Sequence, residues 1–331
     1  MLFRSRRPAT NRRRIEPQRA SHPDMVQGSI LLLLVAGLLA GGCSSASTNK
    51  KTDAEGPEPI GKLVEATNKP APIGKLLAEL DMQMRSWNNE CLTAQTAEDR
   101  TKARLLEKNL IAETHKRRAE ITEQLESGPL NNRVIAASAL GFTHEREALS
   151  PLLAALDDSS DEVVGNALLG LMLLEQKDTP LAPICRLMQS SRDDGVRRNA
   201  AQCLAALVYD GDRGDCVLPA ARLGLADTEP AVRSQCCMIL ATLVDPTSVQ
   251  ALCDRLYDET PLVVAAAARA VSYLGTQSMT DKGACARALA KSFSETRGLI
   301  HLQLHKSLVE LSGSDHGKEP EEWIAWATRL P

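Results

Sequence analysis

One nine-residue pattern constrains this chain more than any other feature. It reads NRVIAASAL at 132–140, VVGNALLGL at 163–171, VRRNAAQCL at 196–204, VRSQCCMIL at 232–240, VVAAAARAV at 263–271 and IHLQLHKSL at 300–308. Its first position is apolar in five of six copies. Its fifth is Ala136, Ala167, Ala200, Cys236, Ala267 or Leu304, and its ninth is Leu140, Leu171, Leu204, Leu240, Val271 or Leu308. A spacing of four marks one face of a helix. The starts lie 31, 33, 36, 31 and 37 residues apart, the period of a repeat architecture. Between them recurs a second apolar segment, such as ALSPLLAAL at 148–156 and PLAPICRLM at 180–188. Each unit is therefore expected to be a helix pair that buries its apolar faces only by stacking on its neighbours.

Small residues at position five let helices approach closely, and Cys236 and Cys237 fit that role without any chemistry. Asp158, Ser191, Asp227, Asp258 and Glu295 stand five residues before the starts from the second onward. The short polar ones suit helix capping, and acids there favour the helix dipole. Pro230 and Pro261 fall near a first turn, where a missing N–H costs little.

The array is similar to the HEAT-repeat family, whose units are two antiparallel helices stacked into a right-handed superhelix. Arg197 and Arg233, directly after the first Val, match the Val-Arg of that family. Val164, Val264 and His301 depart from it, so an Asp–Arg ladder between repeats is expected to be interrupted. The resemblance implies an all-α fold, an α-solenoid. It speaks to architecture and hardly to function.

The front of the chain reads as an address. Residues 1–42 carry seven Arg against Glu16 and Asp24, followed by the uncharged run ILLLLVAGLLA at 30–40. That is a basic region and a short apolar region of an export signal, too short for a comfortable membrane span of about 20 residues. Ala40, Gly41 and Gly42 before Cys43 resemble the lipobox of bacterial lipoproteins, although Leu is commoner where Ala40 stands. The resemblance implies that Cys43 is lipidated and becomes the first residue. It also implies anchoring in the cell envelope, with Ser44 after the Cys similar to chains sorted to an outer membrane, on its periplasmic side. Several acyl chains at ~0.8 kcal/mol per buried methylene hold firmly, where one alone is marginal. Met25 is an alternative start.

The expected organisation is a signal sequence over 1–42, a flexible linker over 43–72, a helical hairpin over 73–128 and the solenoid with a C-terminal capping helix over 129–331. The linker is rich in Pro, Thr and charge, and PIGKL occurs in it at 59–63 and again at 72–76. The hairpin is read as a helix near 73–89, with Leu76, Leu77, Leu80 and Met84 on one face, then one long charged helix over 97–126. A short coiled coil is the alternative.

Residues 43–331 hold 32 Lys and Arg against 40 Asp and Glu, a net charge of −8, and aromatics are 3% of the whole chain. Both facts argue against nucleic acid as a partner. Beyond Cys43 the cysteines are 91, 185, 203, 216, 236, 237, 253 and 285, with no CxxC and no zinc spacing. They read as small buried apolar residues, with disulfides as the alternative in an exported chain.

Six side chains stand out as candidates for contact. Arg186 and Arg222 sit at matching offsets in their apolar segments and would meet an acidic segment of a partner. Trp323 and Trp326, spaced i, i+3, are read as a sealing helix that buries both indoles, or as an aromatic patch for a partner. His301 and His305, spaced i, i+4, would share a metal ion if a third ligand were near. Only one His-Glu pair occurs, His144-Glu145, which does not match the several pairs of HEAT-type di-iron hydroxylases. The sequence thus points to a membrane-anchored lipoprotein that scaffolds another protein, without a cofactor and not an enzyme. The alternative is an envelope enzyme or metal-binding protein using His301 and His305.

Overall fold

The computed structural model describes residues 71–208, 214–277 and 281–331. The expected signal, Cys43 and nearly all of the linker lie outside the described residues. Among the described residues the fold is all-helical. It runs α1 (Ile73–Thr93), α2 (Ala97–Lys116), α3 (Arg118–Ser127), α4 (Leu130–Gly141), α5 (Leu149–Ala154), α6 (Asp161–Leu174), α7 (Ala182–Ser190) and α8 (Asp194–Leu207). It continues with α9 (Gly214–Gly224), α10 (Pro230–Thr242), α11 (Val249–Asp254), α12 (Pro261–Gln277), α13 (Lys282–Glu295), α14 (Gly298–Ser312) and α15 (Pro320–Thr328).

The nine-residue motifs lie on α4, α6, α8, α10, α12 and α14. Each packs on the next, forming one layer of an α-solenoid, the motif layer. The intervening apolar segments form α5, α7, α9, α11 and α13, and with α3 they build a companion layer across the core. Positions one, five and nine of the motif face that core: Val163, Ala167 and Leu171 are each fully buried, as are Val232, Cys236 and Leu240. The motif helices are enclosed on nearly every side, as expected of helices apolar all round. Close approach needs glycine at one junction. A Cβ on Gly141 would stand 2.7 Å from the Gly170 carbonyl oxygen, and one on Gly170 would collide with the Ala137 carbonyl.

The chain enters the array differently from the expected hairpin. The helix expected over 97–126 breaks at Arg117 (φ −115°, ψ 18°). The Arg117 guanidinium donates to Glu120 at 2.5 and 2.6 Å and to the Ala71 carbonyl at 3.0 Å, so it ties the break to the start of α1. The segment after the break, α3, turns to pair with α4 and supplies the first unit's companion helix. Thr96 and Asp99 form a capping box that starts α2, satisfying two otherwise unpaired N–H groups. On α1 the buried face includes Trp87 besides Leu76, Leu77, Leu80 and Met84, and Trp87 meets Phe142 edge-on at 5.1 Å between centroids. At the far end α15 packs on α13.

Candidate protein-interaction surface

Three arginines fix how successive units meet. Arg133, Arg197 and Arg233 stand at position two of their motifs and reach forward to the next unit. Arg133 Nε and Nη2 donate to Asp158 at 2.9 and 3.2 Å. Arg197 does the same to Asp227 at 2.9 and 3.0 Å, and Arg233 to Asp258 at 2.9 and 2.7 Å. In each case Nη1 donates backward to a carbonyl of its own turn: Gly128, Ser191 or Asp227. Burial works to raise the pKa of all three carboxyls. The paired guanidinium and a backbone N–H outweigh it, so each lies below the usual carboxylate range.

The expected helix-capping role of these acids is corrected. Asp158, Asp227 and Asp258 sit before the helix cap and accept from the N–H two residues on, at Ser160, Glu229 and Thr260. Ser191 accepts from Asp193 in the same way. Arg133 escapes the Val-Arg signal because Asn132 precedes it. As expected, the ladder is interrupted, at Val164 and at Val264.

With positions one, five and nine turned inward, positions three and seven point away from the companion layer. No Asp or Glu stands at positions three, four or seven in any of the six motifs, whereas Arg198, Arg269 and Lys306 do. Lys306 lies 3.9 Å from Glu310. Arg198 and Arg269 have no ion pair among the described residues, and the Nε of each is buried without a hydrogen-bond partner. Between them α10 places the buried Gln235 and the half-buried Met238. Beside Arg198, Asn199 donates to the Gly165 carbonyl at 3.1 Å, while its Oδ1 is buried with no partner. Farther along the same face Leu262, Leu299 and Leu302 are exposed, Leu299 by 84%. This stretch from α8 to α14 offers guanidinium, amide and apolar groups and no carboxylate at its centre.

The residues singled out in the sequence fall elsewhere. Arg186 and Arg222 lie on α7 and α9, in the companion layer, and do not act together. Arg186 is exposed and only 3.9 Å from the equally exposed Asp157. Arg222 is exposed but already engaged: Nε and Nη2 each donate to Asp245 at 2.8 Å. Burial alone would raise the Asp245 carboxyl. Arg222, with the Ser248 and Thr247 hydroxyls, instead holds its pKa at about 2.

Trp323 is fully buried and its Nε1 donates to the Gly317 carbonyl at 2.8 Å, so it is not a contact residue for a partner. Trp326 is only half-buried, stacked on His316 at 5.3 Å, so the reading in which both indoles are buried is corrected to one. Gly317 (φ 118°) leaves room for Glu322 where a Cβ would collide.

His301 and His305 do share a face, but they meet an aromatic cluster. His301 stacks on Phe293 at 3.9 Å and its Nδ1 donates to the Phe293 carbonyl at 3.2 Å. His305 Nε2 donates to the Gly317 carbonyl at 3.0 Å and meets Trp323 edge-on. The two rings therefore point at separate partners, and no group of three metal-ligating side chains occurs among the described residues. The alternative of a shared metal ion finds no third ligand among the described residues.

These layers of helix pairs define an α-solenoid protein built from repeats. The model of the HEAT-repeat family matches residues 119–205 and 218–297, just over half of the chain, which belongs to that family. Repeats of this kind typically build protein-interaction scaffolds, and the fold is generally non-catalytic. Among solved structures the chain is similar to a designed armadillo repeat protein, at 18% identity and a TM-score of 0.45, over 58% of this chain and 98% of that one. It is also similar to an engineered protein, at 18% identity and a TM-score of 0.44, over 81% of this chain and 76% of that one. No curated protein matches it.

Proposed function

We propose that this chain is a protein-interaction scaffold, lipid-anchored through Cys43 in a bacterial cell envelope on the periplasmic side of the outer membrane. Its motif-layer face between α8 and α14 receives an acidic segment of another protein. The observation that carries the binding reading is the pair Arg198 and Arg269. Two guanidiniums without carboxylate partners, on a face whose motif positions three, four and seven carry no acid, are complementary to a segment that carries acids. The exposed Leu262, Leu299 and Leu302 supply apolar area beside them, where a partner anchors by burial.

The test is quantitative capture of envelope proteins by the full chain, compared with the Arg198→Glu/Arg269→Glu variant and an Arg186→Glu control. Loss of the same captured protein in the double variant but not in the control is the expected result, and equal recovery refutes the face. The anchor is tested separately. Wild-type chain is expected to incorporate a labelled fatty acid and sediment with membranes. Cys43→Ser is expected to do neither, and an unlabelled wild-type chain refutes the anchor.

A further inference from the structure

Cys185 on α7 and Cys216 on α9 bring their Sγ atoms to 3.1 Å, across two companion helices that pack side by side. Two sulfurs at that distance are already in contact, about 1 Å beyond the ~2.05 Å of a disulfide bond. No other two thiols among the described residues share a hydrogen bond. Cys236 and Cys237 are sequence neighbours, and adjacent residues on a helix do not face each other. The two sulfurs also differ in access: Cys185 is buried, Cys216 half-buried.

We infer that Cys185 and Cys216 form a redox-active pair, a disulfide site that staples the third unit to the fourth when a disulfide-bearing oxidant reaches it. Exposure sets the order of events. The Cys216 thiolate attacks one sulfur of the oxidant's disulfide and releases the other half as a thiol. Cys185 then loses its proton and attacks Cys216 Sγ, releasing the second half. Two protein thiols are oxidised and one external disulfide is reduced to two thiols, so atoms and electrons balance. Burial, reinforced by the neighbouring Cys216, pushes the Cys185 thiol well up, which agrees with its reacting second, its proton passing to the departing sulfur. The closed loop contains the whole of α8, with Arg197 of the ladder and Arg198 of the exposed face. Cross-linking a loop of this length restricts the unfolded chain. The inference is independent of the scaffold reading.

The experiment uses the full chain, fully reduced, then exposed to excess oxidised glutathione. Intact mass, a thiol count in denaturant and a non-reducing digest are read out. A mass loss of about 2 Da is expected, reversed by dithiothreitol. The expected linked peptide joins Cys185 to Cys216. The oxidised form is expected to melt on the order of 5 °C or more above the reduced form. Cys216→Ser is expected to melt within about 2 °C of the reduced wild type. It abolishes both the link and the difference between redox states. Three outcomes overturn the inference: every thiol still titrates after oxidation, the link joins other cysteines, or a glutathione adduct on Cys216 persists without closure.

Discussion

The junctions between units come in two kinds. Units one and two, three and four, and four and five are joined by an Arg–Asp rung. In the last of these the Arg233 and Asp258 side chains are only 6% and 3% exposed. Units two and three lack a rung, and both of its members change together: Val164 stands where Arg would, and Ser191 where Asp would. At the junction of units five and six, Val264 stands at the Arg position and Glu295 at the Asp position. Both valines are buried. There the neighbours hold each other through Asn199 and the Gly165 carbonyl, and through Ser272, which donates to the Ser307 carbonyl at 2.8 Å. Apolar burial is therefore common to every junction and the ion pair is not. A rung sets register between units. It makes its junction intolerant of losing one partner, because a lone buried charge is far worse than none.

The sharpest break in that contrast is Arg233→Ala. It strips buried Asp258 of its two-pronged partner, leaving only Arg255 Nη1 at 3.3 Å, and is expected to cost about 3 kcal/mol in urea unfolding. Val164→Ala at the rungless junction only trims two methyl groups and is expected to cost about 1–2 kcal/mol. Equal costs would mean that the rung does nothing particular. Replacing both partners, Arg233→Met with Asp258→Leu, is expected to be neutral or stabilising. The pH dependence follows from the sign of the shift. Asp258 is held below its unfolded value of about 3.9, so its contribution is complete above that pH and is lost as pH falls below it. Wild type is therefore expected to lose stability below pH about 4 faster than the apolar double variant. Parallel loss in the two proteins would refute the linkage.

Two smaller changes probe packing at one junction of each kind, Gly170 between the rung-bearing units one and two and Ser272 between the rungless units five and six. Gly170→Ala drives a methyl into the Ala137 carbonyl and is expected to cost about 1–3 kcal/mol, because the two backbones must separate. Ser272→Ala removes the hydroxyl that reaches Ser307 and is expected to cost about 1 kcal/mol. Thermal or urea midpoints measure both, and a silent Ser272→Ala would leave burial alone holding the last two units.

The layered fold was legible because a spacing of four at positions one, five and nine recurs six times, and burial follows that spacing directly. The break at Arg117 was not, because helical periodicity runs straight through it. The contact that ties the break down is tertiary, from the Arg117 guanidinium to the Ala71 carbonyl at the start of α1. Arg222 and Arg186 look alike in sequence. Only the fold brings Asp245 beneath one of them and leaves the other in solvent. The i, i+3 spacing of Trp323 and Trp326 places both on a common face, yet α15 turns Trp323 fully inward and leaves Trp326 at the margin. The acid-free positions that carry Arg198 and Arg269 were in plain view along the motifs, but they become a surface only once the inward positions are known. Cys185 and Cys216, 31 residues apart, were likewise separated by about one repeat, the spacing at which neighbouring units place equivalent residues together.

The smallest net effect is expected from building a rung where none exists. Val164→Arg alone places an unpaired guanidinium in a buried position and is expected to be strongly destabilising, while Ser191→Asp alone sits at a turn and is expected to be mild. Together they are expected to fall within about 1 kcal/mol of wild type, since a buried pair does little more than repay its own desolvation. The informative quantity is the coupling between them, expected at about 1–3 kcal/mol in a double-mutant cycle. Ser191 already accepts the same i+2 N–H as the ladder acids, so an Asp there would present its second oxygen toward unit two, as Asp227 does toward Arg197. A coupling below about 0.5 kcal/mol would mean that units two and three meet in a different register from units three and four. The paired loss of Arg and Asp at this junction would then reflect geometry that cannot hold a rung.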